Sequence, residues 1–195
     1  MPIITLAEID STGRKAARGC GCPWGLAEEA GKSARWLAAH GQPGVSALAA
    51  MLSNRAGCCT QTGRPCALAL GTALADRATA LTEQPATIGD VDIPLIAIAQ
   101  MGRAADALNH AYLLEGAGGE ARVARHSLTL SGDIEPSTMT CTATESAPQI
   151  PPPSPASRDV DDIAWASLTQ MSHRLLVPAS EESRAGAGAG SSDND

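Results

Sequence analysis

The chain has no phenylalanine, one tyrosine and three tryptophans, so its core has to be assembled largely from small aliphatic side chains. Each such side chain buries little apolar area. A fold made of them gains stability by bringing backbones close and packing many small groups at high density. Hydrophobic residues make up 44% of the 195 positions and charged residues 18%, which supports a globular core and excludes a chain that is disordered throughout. The length suits one domain, or one domain with a small appendage.

The formal net charge is −7. A general nucleic-acid binder needs a basic face to neutralise phosphates, so this balance argues against nucleic acid as a partner. Arg14, Lys15 and Arg18 form a local basic cluster that reads as solvated surface. The opening residues lack the basic stretch and long apolar run of an export signal. The longest apolar run, Ile93 to Ala99, is far too short to span a bilayer. Six cysteines without an export signal are expected to be reduced thiols. A cytoplasmic location with no membrane partner follows as the expectation.

Thr5-Leu-Ala-Glu8 has the form of a capping box and predicts a helix start. The helix ends at Gly19, and Pro23 opens a second one with Leu26, Ala27, Ala30, Ala34, Leu37 and Ala38 on its apolar side. Pro43 opens a third, with Val45, Leu48, Ala49 and Leu52 buried. Residues 67–70 are ambiguous between strand and helix. Pro94 to Ala99 is expected as a buried strand, with a short helix over 102–110. Residues 111–145 carry the period-two alternation and glycine turn of an antiparallel meander. Five prolines between Pro148 and Ser157 mark a linker, and Asp159, Asp161 and Asp162 favour the start of a last helix.

The predicted fold class is therefore α+β: an N-terminal three-helix unit, a small mainly antiparallel sheet, and a C-terminal helix returning after a Pro-rich linker. In domain terms, residues 1–147 form one unit (helical over 5–53, mixed or β over 66–145). A linker follows over 148–158, a packed helix over 159–177, and a Gly/Ser/Asp tail over 178–195.

Glu28, Lys32 and Arg35 fall at i, i+4 and i+7, so they share one face of the second helix. That face is either an ordinary exposed surface or one wall of a site for an acidic ligand. In the tail, Arg184 can clamp a carboxylate through two donors, with Ser180 and Ser183 beside it. Cys20, Cys22, Cys58, Cys59 and Cys66 supply soft ligands for a metal in an alternative reading. Their spacing departs from that of a zinc knuckle, and small apolar filler is the plainer reading. The four histidines are scattered, and no HExxH or GxSxG pattern occurs.

The segments Arg14-Lys-Ala-Ala-Arg-Gly19, Trp24-Gly-Leu-Ala-Glu-Glu-Ala-Gly31 and Ala34-Arg-Trp-Leu37 resemble a family of small bacterial proteins catalogued as a domain of unknown function, DUF3726. The close of the chain, Val177-Pro-Ala-Ser180 through Gly186-Ala-Gly-Ala-Gly190 to Asp193-Asn-Asp195, looks like the way its members finish. The resemblance implies no activity, cofactor or substrate, but favours a functional tail. The expected function is a small-molecule metabolic enzyme, or the accessory subunit of one, binding an acidic metabolite. A protein–protein interaction module and a thiol-based metal-binding protein are the alternatives.

Overall fold

The structure, a computed structural model, describes residues 2–53, 66–145 and 156–175. A short strand β1 (Ile3–Thr5) leads directly into helix α1 (Leu6–Gly19). The Thr5 hydroxyl accepts from the Glu8 amide at 3.1 Å, and the Glu8 carboxylate accepts from the Thr5 amide at 3.0 Å. Two of the amides that every helix start leaves open are thus satisfied. Helices α2 (Trp24–Ala39) and α3 (Gly44–Ser53) follow. Both turns between them use glycine in the left-handed region, Gly21 and Gly41.

After residue 66 come α4 (Ala67–Asp76), a 3-10 turn (Ala78–Thr82), strand β2 (Ala86–Val91) and helix α5 (Pro94–Leu108). The stretch 94–108 is one helix, where the sequence predicted a strand and then a helix. Pro94 occupies the first helical turn, the position where its missing N–H costs nothing. Ile96 through Gly102 are all buried, so no polar stripe betrays a helical period. The ambiguous segment 67–70 is also helical; the Cys66 sulfur accepts from the Ala69 amide at its start.

Strands β3 (Ala111–Gly116), β4 (Gly119–Ala124), β5 (Ser127–Gly132) and β6 (Ser137–Thr144) complete a five-stranded antiparallel sheet in the order β2-β6-β3-β4-β5. Only β3 to β5 form a meander. β6 returns to the free edge of β3, pairing Leu114 with Cys141. That central place buries Met139 and Cys141 completely, which an edge beyond the polar β5 would not. β7 (Ser157–Asp159) pairs with β1, and α6 (Asp162–His173) starts on an Asp161 carboxylate that accepts from the Ala164 amide at 2.7 Å. The chain is thus α+β: four helices precede the five-stranded sheet in sequence, α5 is inserted between its strands β2 and β3, and α6 follows it. The linker residues 148–155 and the tail from 176 lie outside the described residues.

The core runs through α5, which meets the sheet on one side and α2, α3 and α4 on the other. Tyr112, Leu114, Ala121, Val123, Met139 and Cys141 form the buried face of the sheet. Helices approach closely where one of them carries glycine. A Cβ on Gly71 would come within 2.8 Å of the Ala97 backbone. A Cβ on Gly31 would strike the Asp10 carbonyl, and one on Gly102 would enter the Trp36 ring. The small-residue composition is therefore spent on contacts between backbones, or between backbone and ring, that larger side chains would hold apart.

Gly102→Ala is expected to cost about 1–3 kcal/mol in chemical denaturation, because the ring must move within a packed core. Gly25→Ala, in the first turn of α2 with open space around it, is expected to be neutral or to stabilise by up to about 1 kcal/mol.

Candidate functional site

Trp36 lies on α2 with its ring against Gly102, and its indole N–H donates to Asp106 Oδ2 at 2.8 Å. This contact joins α2 to α5 and forms the floor of a cleft of about 470 Å³. α1 contributes Leu6 and Asp10, α2 contributes Lys32, Arg35, Trp36, Ala39 and His40, α5 contributes Arg103 and Asp106, and the β4–β5 turn contributes His126. The spacing 32, 35/36, 39/40 follows one face of α2, and 103/106 one face of α5.

Three cations face two carboxylates in this cleft. Arg35 is half-exposed and sits 3.7 Å from Asp10, a loose pair that leaves its guanidinium available. Lys32 lies between Glu28 at 3.7 Å and Glu29 at 3.3 Å. Arg103 donates to Glu29 and, at 3.2 Å, to Gln100 Oε1. Burial of Glu29 works to raise its carboxyl pKa, but the hydrogen bonds and charges of Arg103 and Lys32 outweigh it, so the group stays below the usual carboxylate range. The stability from that lowered pKa is therefore present at neutral pH and lost as pH falls through the lowered value.

Two imidazoles complete the cleft. His40 stacks on the Trp36 ring at 3.8 Å, and its Nδ1 lies 2.8 Å from the Trp36 carbonyl. Burial holds it below the usual imidazole range despite that bond and the nearby Asp106. In the neutral form Nδ1–H donates to the carbonyl, and Nε2 is enclosed in protein. His126 is different: its ring is exposed, and its backbone has φ of 56°. Tight hairpin turns give that left-handed conformation to glycine or asparagine, and for another residue it costs about 1–2 kcal/mol. Asp106 holds it in place. Oδ1 accepts the His126 amide at 2.6 Å and lies 3.6 Å from the ring Nδ1.

The structure places Lys32 and Arg35 in the cleft. Glu28 lies on the far side of Lys32 and lines a neighbouring groove with Asp76 and Gln100. Ser180, Ser183 and Arg184 lie outside the described residues, as do Cys58 and Cys59. Cys20 and Cys22 are buried at the α1–α2 turn, and Cys66 is disulfide-bonded, so the expectation of six reduced thiols does not hold for Cys66. Burial raises the Cys20 thiol even with Arg174 beside it, and pushes Cys141 up to about 12. Among the described residues, no three of His, Cys, Asp and Glu converge as a metal site would require. Trp24 is 65% exposed, with the Arg18 guanidinium over its ring at 4.5 Å; the basic cluster at 14–18 is thus partly occupied in capping a tryptophan.

In the sequence Arg103 and Asp106 carry no signal, Trp36 reads as a packing residue, and His40 and His126 read as scattered histidines, because no spacing rule joins residues this far apart. The one local signal for them is a hairpin turn, Arg125–His126, that lacks glycine between two alternating strands. No helix among the described residues is long and apolar enough to cross a membrane.

No curated protein and no solved structure matches the chain. A family profile described as protein of unknown function matches residues 4–111. That segment includes every cleft residue except His126, and it does not reach the C-terminal block 177–195. The chain belongs to this family, DUF3726.

Proposed function

We propose that the cleft between α1, α2, α5 and the β4–β5 turn binds a small acidic metabolite, and that the protein is a bacterial, cytoplasmic enzyme of small-molecule metabolism or the accessory subunit of one. The observation that carries this reading is the convergence of Lys32, Arg35 and Arg103 on a concave site with an apolar floor of Leu6, Trp36 and Ala39. Pockets of this kind, apolar with a few placed polar groups, are the usual form of a small-molecule site. The loosely held Arg35 offers a planar fork to a carboxylate or phosphate. Lys32 adds a mobile point charge at the rim. Arg103 is the reserve: its present partner, Glu29, is a carboxylate that a ligand anion can compete with.

The test is a thermal-shift and calorimetric titration with inorganic phosphate, succinate and malate at low salt. A ligand at one hundred times its Kd is expected to add about 2.7 kcal/mol of stability. Arg35→Ala combined with Lys32→Ala is expected to weaken binding at least about tenfold, or ~1.4 kcal/mol, while changing the unliganded melting temperature little, since both side chains are about half exposed and their ion pairs are loose. Glu29→Gln is expected to act in the opposite direction: it frees Arg103 from its carboxylate and tightens anion binding. Binding that ignores all three changes would place the site elsewhere.

A further inference from the structure

We propose that His126 is a specificity-determining residue and that the cleft selects anions carrying a hydroxyl group, a hydroxy acid or a hydroxylated phosphate ester. This rests on the reading of the cleft as an anion site and extends it to the rest of the ligand.

The argument starts from what each polar group in the cleft has left to offer. Lys32, Arg35 and Arg103 are donors only. Asp10 faces Arg35. Both oxygens of Asp106 are engaged, Oδ2 by the Trp36 indole and Oδ1 by the His126 amide. His40 turns Nδ1 to the Trp36 carbonyl, and its Nε2 is enclosed. Of the side-chain acceptors lining the cleft, His126 is the most exposed, its side chain 57% accessible against 25% for Asp10 and 24% for Asp106. Its Nδ1 faces Asp106 at 3.6 Å. In the neutral tautomer that turns Nδ1–H toward this carboxylate, the Nε2 lone pair is free to receive a proton donor from a ligand. An anion gripped by Arg35 and Lys32 that also carries a hydroxyl matches this set of donors and one acceptor.

The backbone supplies an independent reason. His126 sits in a left-handed conformation, φ 56°, where glycine would be unstrained. The hydrogen bond that the His126 backbone N–H donates to Asp106 needs no His126 side chain, so pinning the turn does not call for histidine there. Strain held at a cleft by a hydrogen-bonded partner is the pattern of a residue kept for its side chain. A purely structural imidazole would have to contribute more than the strain costs, through a ring that is mostly in solvent.

The experiment titrates the wild-type chain and His126→Gly with matched pairs: malate and succinate, lactate and propionate, glycerol 3-phosphate and propyl phosphate. Wild type is expected to bind the hydroxylated member about tenfold more tightly in at least one pair, the size of one well-made hydrogen bond. His126→Gly is expected to bind both members alike and to melt at or above the wild-type temperature. Anion binding without preference in wild type, or a preference that survives in His126→Gly, overturns the inference while leaving the anion site standing. A variant that melts lower with its preference intact shows a structural residue and overturns it too. Failure of every probe to bind wild type at millimolar concentration removes the anion reading, and this inference with it.

Discussion

Trp36 resting on Gly102 is the contact on which the arrangement depends. α2 belongs to the N-terminal helical layer, and α5 lies against the sheet. The indole meets the α5 backbone where no Cβ intervenes, and its N–H closes on Asp106, a turn further along. Asp106 then holds the β4–β5 turn through the His126 amide. One aromatic side chain and one carboxylate thus tie helix layer, central helix and sheet together at the place where the cleft opens. A chain poor in aromatics uses one of its few rings at this junction, and builds the rest of its core by bringing glycine and alanine faces together.

The polar groups around that junction divide into two sets. Asp106, the Trp36 indole and the His126 amide satisfy one another and fix the shape. Lys32 and Arg35 are held by carboxylates at 3.3–3.7 Å in partly exposed pairs, which contribute little to stability, while Arg103 is held by the more buried Glu29 and by Gln100. A set of cations that costs the fold little to release is what an anion site needs. The Glu29–Arg103 contact keeps the unliganded cleft from carrying its full positive charge, and so moderates the repulsion among neighbouring cations.

Much of the local structure was legible in the sequence. The capping box at Thr5 and Glu8 rests on contacts within a few residues and appears with the bonds its pattern implies, and the last helix starts at the expected aspartates, where Asp161 caps it. The spacing of Lys32 and Arg35 put them on one face of α2 for the same reason. What stayed hidden was set by contacts distant in sequence. The run 94–99 reads as a strand because apolar residues on every side look alike in either conformation, and only burial between sheet and helices makes it part of α5. The place of β6 beside β3 depends on which edge buries Met139 and Cys141. The two histidines of the cleft are 86 positions apart by their numbers, 40 and 126, and no spacing rule joins them. Glu28 shares a face with Lys32 on the helix, yet a helix face is wide enough to border two depressions, and Glu28 belongs to the second.

The most direct test of an anion site at this cleft uses the indole resonances. The chain has three tryptophans: Trp36 in the cleft floor, and Trp24 and Trp165 away from it. In an indole N–H and backbone amide spectrum titrated with malate, the Trp36 indole and the His126 amide, both donors to Asp106, are expected to shift together and saturate, with Trp24 and Trp165 unmoved. Shifts confined to Trp24 or Trp165, or a Trp36 signal indifferent to saturating malate and phosphate alike, would contradict the account.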